Sequence, residues 1–323
     1  MKKSLGPFIV FFFFLVSVSS GQVENRNELA DGKSLIQAYL SPLGNSLGSA
    51  LNNGWYNTSK PHHLGGFDIT FTANLVFVPE GAKKFNITES NSGYFTGGQT
   101  PTILGDKKGG NATYFALPNG PNPGGSSSVE MPSGLNTSLI PVPMLQAGVG
   151  LIKNTEIDIR FMPQIEMSGV KTGLFGAGIK HDILQWLPIV DKIPIDVSFQ
   201  AGYTKLNSQL TLEDPNSNQK VDANLDVIAT TFNIILSKKV AIFTAYGSLG
   251  YNSSKTVFNV NGEYNIAGMS LDVNELTDFE FENNNQIRAN LGFRFQIAVL
   301  ALQANYTFSE YPVATIGAGI SIR

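Results

Sequence analysis

Residues 286–323 read QIRANLGFRFQIAVLALQANYTFSEYPVATIGAGISIR, and this stretch decides the fold class. Ile287, Ala289, Leu291, Phe293, Phe295 and Ile297 fall on one face of a strand. Arg288, Asn290, Gly292, Arg294 and Gln296 fall on the other. The pattern recurs through Leu300, Leu302, Ala304, Tyr306 and Phe308, and again through Ala314, Ile316, Ala318, Ile320 and Ile322. Successive side chains of a strand point to opposite faces. Three consecutive strands of about ten residues, apolar on one side and polar or small on the other, suit the wall of a transmembrane barrel.

At the other end of the chain, Met1-Lys2-Lys3, the apolar run Phe8 to Val18 and the small residues Val18-Ser19-Ser20 predict a cleaved signal peptide over residues 1–20. An apolar run of about 11 residues is short of the roughly 20 that cross a bilayer as a helix. No other stretch approaches that length, so a membrane crossing must use a closed barrel. Removing Lys2 and Lys3 leaves 20 basic residues against 25 acidic ones, a net charge of −5. That balance argues against nucleic acid as a partner. The chain has no cysteine, which excludes disulfides and thiolate metal sites. A charged fraction of 15% with 33 glycines fits a barrel with small lumenal residues better than a soluble enzyme.

The expected architecture is all-β: an antiparallel up-and-down transmembrane barrel of about ten strands, within a range of roughly 10 to 14. Residues 66–323 form the barrel and residues 21–65 a helical segment before it. In that segment Leu35, Ile36, Tyr39 and Leu40 recur at helical spacing, Pro42 breaks the run, and Leu43, Leu47 and Leu51 continue it. Such a broken amphipathic helix serves either as a plug in the lumen or as a cap at the periplasmic mouth. The first strand, Gly66 to Val78, ends at Pro79. Residues 80–143 read as a long irregular extracellular loop, with short pairings near Lys84–Thr88 and Thr113–Leu117; loops of that length are usually functional. Further strands fall at about Met144–Ile152, Thr155–Glu166, Val170–Lys180, Ile193–Leu206, Val221–Ser237, Val240–Tyr264, Gln286–Ile297, Val299–Ser309 and Pro312–Arg323.

With the C-terminus set at the periplasm, tight turns at Lys153-Asn154, Lys238-Lys239 and Ala298-Val299 fall inside. The long connections 80–143, 207–220 and 265–285 fall outside, the asymmetry expected of outer-membrane barrels. The same parity puts the N-terminal helix and His181 to Asp191 in the periplasm. His181 to Pro188 reads as a short interfacial helix capped by Asp182, with Trp186 as its interfacial aromatic.

Ser41-Pro42-Leu43-Gly44-Asn45, Leu51-Asn52-Asn53-Gly54-Trp55-Tyr56-Asn57-Thr58, His63-Leu64-Gly65-Gly66-Phe67-Asp68 and Gly178-Ile179-Lys180-His181-Asp182-Ile183 carry a resemblance along nearly the whole mature chain. They resemble an uncharacterised Bacteroidota outer-membrane barrel family, catalogued as a domain of unknown function. The resemblance implies a barrel with a preceding helical segment and no known activity. More remotely, the layout is similar to that of outer-membrane long-chain fatty-acid transporters.

The candidate site is a lumenal charge network: Glu156, Asp158, Arg160 and Glu166 on one strand, Asp196 on another, and Arg288 and Arg294 on a third. Ionisable groups at membrane depth are functional candidates. Here they form either a self-neutralising structural network or a charged constriction. Gly173 to Gly178 sits mid-strand, so its glycines thin the wall over a packed lumen rather than cradle a nucleotide. Asp214 to Asn218 starts like a calcium loop but lacks its glycine and bidentate glutamate. The acidic run Asp272, Glu275, Asp278, Glu280 and Glu282 reads as a solvated loop. His62, His63 and His181 are read as structural, with no metal site and no cofactor. No catalytic constellation is present. The expected function is non-enzymatic passage of a small or hydrophobic solute across the outer membrane of a Gram-negative bacterium. Lipid, lipopolysaccharide and the barrel-assembly machinery are the expected partners. The alternative is a structural or surface-interaction barrel with a filled lumen.

Overall fold

The computed structural model describes residues 26–90, 95–115, 126–167, 169–186, 194–213, 220–261, 263–266, 269–272 and 279–322. The signal segment and the calcium-like turn lie outside them, as do Glu275 and Asp278 of the acidic run. Ten strands close an antiparallel barrel: β1 (Phe67–Phe77), β2 (Leu139–Leu151), β3 (Thr155–Met167), β4 (Val170–Asp182), β5 (Asp196–Glu213), β6 (Lys220–Val240), β7 (Phe243–Asn261), β8 (Phe279–Ile297), β9 (Leu300–Phe308) and β10 (Val313–Ile322). Each strand pairs with its neighbour in sequence, and β1 closes the wall by pairing with both β2 and β10.

The alternation of the closing strands holds around the ring. Phe71, Leu145, Phe161, Phe175, Phe232, Leu249, Leu291 and Leu302 all stand exposed on the outer surface. On β8 the exposed apolar positions run from Ile287 to Ile297, which matches an apolar band about 25 Å tall. The wall is uneven in height. β5 to β8 run 18, 21, 19 and 19 residues, against 9 and 10 for β9 and β10. Above the band the tall side turns polar, with Lys205 paired to Asp226 at 3.3 Å and Lys255 paired to Glu280. β8 begins at Phe279 rather than Gln286. The β7–β8 register shifts between Asn252 and Ser254, which flips the alternation and turns Phe279 and Phe281 inward.

The N-terminal segment is one helix, α1 (Arg26–Leu51), continuous through Pro42. Packing on both halves outweighs the hydrogen bond that proline forfeits. α1 lies inside the barrel, touching β6, β7 and β8 on one side and β1 and β2 on the other. Of the two expected placements the lumen is the correct one, and the periplasmic placement drawn from strand parity is not. The helix starts at the long-loop end, and residues 52–66 thread on to the opposite rim. There Gly150 N–H donates to Gly66 O at 2.8 Å just before β1 begins. Parity fixes where β1 starts, not the path of the chain before it.

The described residues between 78 and 138 hold more regular structure than their turn-rich composition suggests. Residues 84–86 pair with 99–101, and 111–115 pair with both 95–96 and 126–130. This layer covers α1: Tyr39 Oη donates to Ser133 O at 2.8 Å, and Ile103 N–H to Tyr39 O at 3.0 Å. The β6–β7 turn lies at Ala241-Ile242, with Ala241 at φ +54°, not at Lys238-Lys239. The long-loop end also carries tight turns, at Met167–Val170 and at residues 309–312, so turn length sorts the two ends only in part. Only one 3-10 turn, Leu184–Trp186, is described in the expected interfacial helix, and residues 187–193 lie outside the described set. Asp182 Oδ1 accepts from Leu184 N–H at 2.9 Å, and Trp186 is exposed beside His181, to which its Nε1 donates at 2.9 Å.

Candidate functional site

The site is the lower lumen, where the wall grips the end of α1. A helix leaves its last four carbonyls without intrahelical partners, and its dipole makes that end electronegative. Arg160 on β3 answers both needs, donating from Nη1 to Leu51 O at 2.8 Å and from Nη2 to Asn53 O at 2.7 Å. Arg288 on β8 donates to Asn52 O at 2.8 Å and to Tyr56 Oη at 3.0 Å. Asn74 on β1 donates to Ala50 O at 2.8 Å. Three strands of the wall therefore cap one helix. Arg294 continues the grip below, donating to Asn57 Oδ1 at 3.0 Å.

Trp55 fixes the chain directly after the helix. The Arg160 guanidinium lies 3.5 Å from its ring centroid, a cation–π contact made stronger by exclusion of water. The ring also rests on Gly178 and Gly202, which pair across β4 and β5. A Cβ at Gly178 would lie 2.7 Å from the indole, and one at Gly202 2.5 Å. The mid-strand glycines thus form a recess in the wall cut to one aromatic ring.

The third of the lumen nearest the β1 start is ionic. Glu156 Oε1 meets Lys180 Nζ at 2.7 Å and Glu156 Oε2 accepts His62 N–H at 2.7 Å. His62 Nε2 lies 3.2 Å from Asp68 Oδ1, and Thr70 Oγ1 donates to Asp68 Oδ2 at 2.7 Å. Gln146 bridges Asp158 Oδ1 to Arg160 Nε at 3.0 and 2.9 Å and also donates to Trp55 O at 3.2 Å. Among the described residues His62, Asp68 and Glu156 bring possible metal-ligand atoms within 4.8 Å of one another. Lys180 already supplies the cation there, and both Glu156 oxygens are engaged, so the cluster anchors the plug.

Across residues 1–322 the sequence matches the family described as a family of unknown function, DUF6588. The chain belongs to that family. Among solved structures, the chain is similar to the translocator domain of the autotransporter NalP from Neisseria meningitidis. That likeness is 11% identical, covers 88% of this chain and 96% of that one, and has a TM-score of 0.33. It is also similar to Ail, the attachment invasion locus protein of Yersinia pestis, at 10% identity over 80% of this chain and 98% of that one, TM-score 0.27. The outer membrane protease OmpT from Escherichia coli is similar at 9% identity over 84% and 100%, TM-score 0.33. No curated protein matches the chain.

In this DUF6588 barrel the expected charge network divides. Glu156, Asp158, Arg160, Arg288 and Arg294 are all buried in the lumen. Glu166 is not among them. The β3–β4 register shifts between Met162 and Ile165, and Glu166 ends exposed opposite Lys171 at the outer tip. Asp196 sits at the lower rim, where its backbone carbonyl, not its carboxylate, accepts from Ser59 Oγ at 2.8 Å. Arg288 and Arg294 reach the plug segment, Arg288 at Asn52 O and Tyr56 Oη and Arg294 at Asn57 Oδ1. Sequence reasoning missed Lys180, His62, Asp68 and Trp55. Strand parity marked Lys180 and Asp68 as lumenal. The partners of His62 and Trp55 depend on residues 52–63 lying inside the barrel.

Proposed function

We propose that this is a non-enzymatic outer-membrane barrel, closed at rest by its own N-terminal segment, that passes a small hydrophobic solute when α1 shifts. The observation that carries the reading is the layering of the lumen. Below Leu51 the plug is held by charge and hydrogen bonds. Above it the inner wall is apolar, with Met144, Leu174, Leu206, Val227 and Val313 packed around Leu47, Ala50 and Leu51. A lumen filled for stability alone needs no separate apolar storey, whereas a hydrophobic solute needs a surface it can wet. The apolar outer band and the all-strand wall support the membrane placement. Entry of the apolar dye N-phenyl-1-naphthylamine into cells tests the reading. Expression of the protein should raise dye entry, and Arg160→Met with Arg288→Met should raise it further. Entry unchanged in both overturns the reading. The surface-interaction alternative draws on the short strand pairings described between residues 84 and 130; it predicts no dye entry, and removal of that layer without effect on any surface binding would count against it.

A further inference from the structure

Among the described residues the wall has an open seam between β2 and β3. β2 and β3 pair from Leu151↔Thr155 up to Leu145↔Phe161, and there the ladder stops. Both strands continue. β2 runs on to Leu139 paired only with β1, and β3 to Met167 paired only with β4. The same register carried one step further would set Pro143 opposite Pro163. A proline has no N–H to give a ladder, and in a paired strand its nitrogen must face the unpaired edge. Pro141 and Pro143 therefore face β3 with acceptors and no donors, and Pro163 on β3 brings no donor in return. The seam cannot zip.

Its depth gives the gap meaning. Leu139, at the top of the β2 edge, stands exposed on the outer face, as do Leu145 and Phe161 at the foot of the gap, so the gap opens on the apolar band. Unpaired backbone at that depth is tolerated only where protein covers it or it lines a cavity. Directly behind it runs one register row of inward side chains: Met144 on β2, then Met162, Leu174, Leu206 and Val227 on β3 to β6. That row belongs to the apolar storey of the lumen, and Leu47 and Leu51 of α1 close it from inside. Both thioether side chains of the row flank the seam, and methionine adapts to varied apolar shapes.

We propose that the β2–β3 seam is a lateral port, through which a small apolar molecule passes between the lumen's apolar storey and the surrounding hydrocarbon. The port rests on the transport reading and adds a route to it: sideways through the wall rather than out through the lower rim. The test uses the full chain in lipid vesicles with pyrene maleimide dissolved in the bilayer, a clean probe because the protein has no cysteine of its own. Met144→Cys, behind the seam, should label severalfold faster than Val227→Cys, in the same row behind an unbroken ladder. Adding Pro143→Val and Pro163→Val restores donors to both edges and should slow Met144→Cys to the Val227→Cys rate. Equal labelling of the two cysteines, or labelling unmoved by the restored donors, overturns the port. In cells the same pair of valines should lower N-phenyl-1-naphthylamine entry. Entry that persists at the wild-type level overturns the lateral route and leaves transport standing. Seam-dependent labelling with no dye entry in any variant supports the opening and overturns transport.

Discussion

The two halves of α1 sit in one lumen and are held in opposite ways. The lower end is fastened by direction: two arginines, an asparagine and a stacked tryptophan aim specific bonds at specific carbonyls. The upper half is fitted by shape. Gly44 and Gly48, one turn apart, lie against β7 and β8, where a Cβ at Gly44 would fall 2.6 Å from the Phe281 ring and from Thr256 Oγ1. A directional lock releases only when its bonds are exchanged, whereas an apolar fit slides. On the proposed function, the difference makes the lower lumen the gate and the upper lumen a surface over which a displaced helix moves.

The largest effect expected from breaking this contrast is at Arg160. Arg160→Met leaves the Leu51 and Asn53 carbonyls and Gln146 Oε1 short of a donor, and removing one side of a buried charged network costs about 3–5 kcal/mol. Urea unfolding in detergent should show it as a lowered midpoint, together with faster proteolysis of residues 52–63. Lys180→Met comes next. It strands Glu156, and adding Glu156→Gln should recover part of the loss, a coupling that a double-mutant cycle reads directly. In the upper lumen Gly48→Val overpacks the helix against Ser254, at a cost of about 1–3 kcal/mol. It should loosen α1 toward protease while leaving the Arg160 grip and the resting conductance unchanged. The smallest effect is at Glu166. Glu166→Gln at the exposed strand tip should shift the midpoint by under about 0.5 kcal/mol, although the sequence sets this residue beside Glu156 and Asp158.

The wall was legible because lipid on one side and a lumen on the other impose period two, and the count of ten strands followed from it. Legibility failed where period two fails. The register shifts beside Met162 and beside Ser254 each reverse the faces within a strand, hiding the exposure of Glu166 and the start of β8 at Phe279. The long loop was expected to run to Pro143 and β2 to begin at Met144. On an edge with no partner a proline costs nothing, and the strand starts at Leu139. The plug contacts were illegible for a different reason. Arg160 and Leu51, or Arg288 and Asn52, are brought together by the path of residues 52–66 through the barrel, and no local pattern encodes that path. Lys180 was recoverable, since it falls on the lumenal parity of β4 opposite Glu156 on β3.

Planar-bilayer conductance of the purified protein, compared with Arg160→Met combined with Arg288→Met, tests the locked plug most directly. A silent wild type and a double variant that opens in discrete steps is the predicted result. A wild type that conducts steadily, or a double variant that stays as silent as the wild type, would contradict the account.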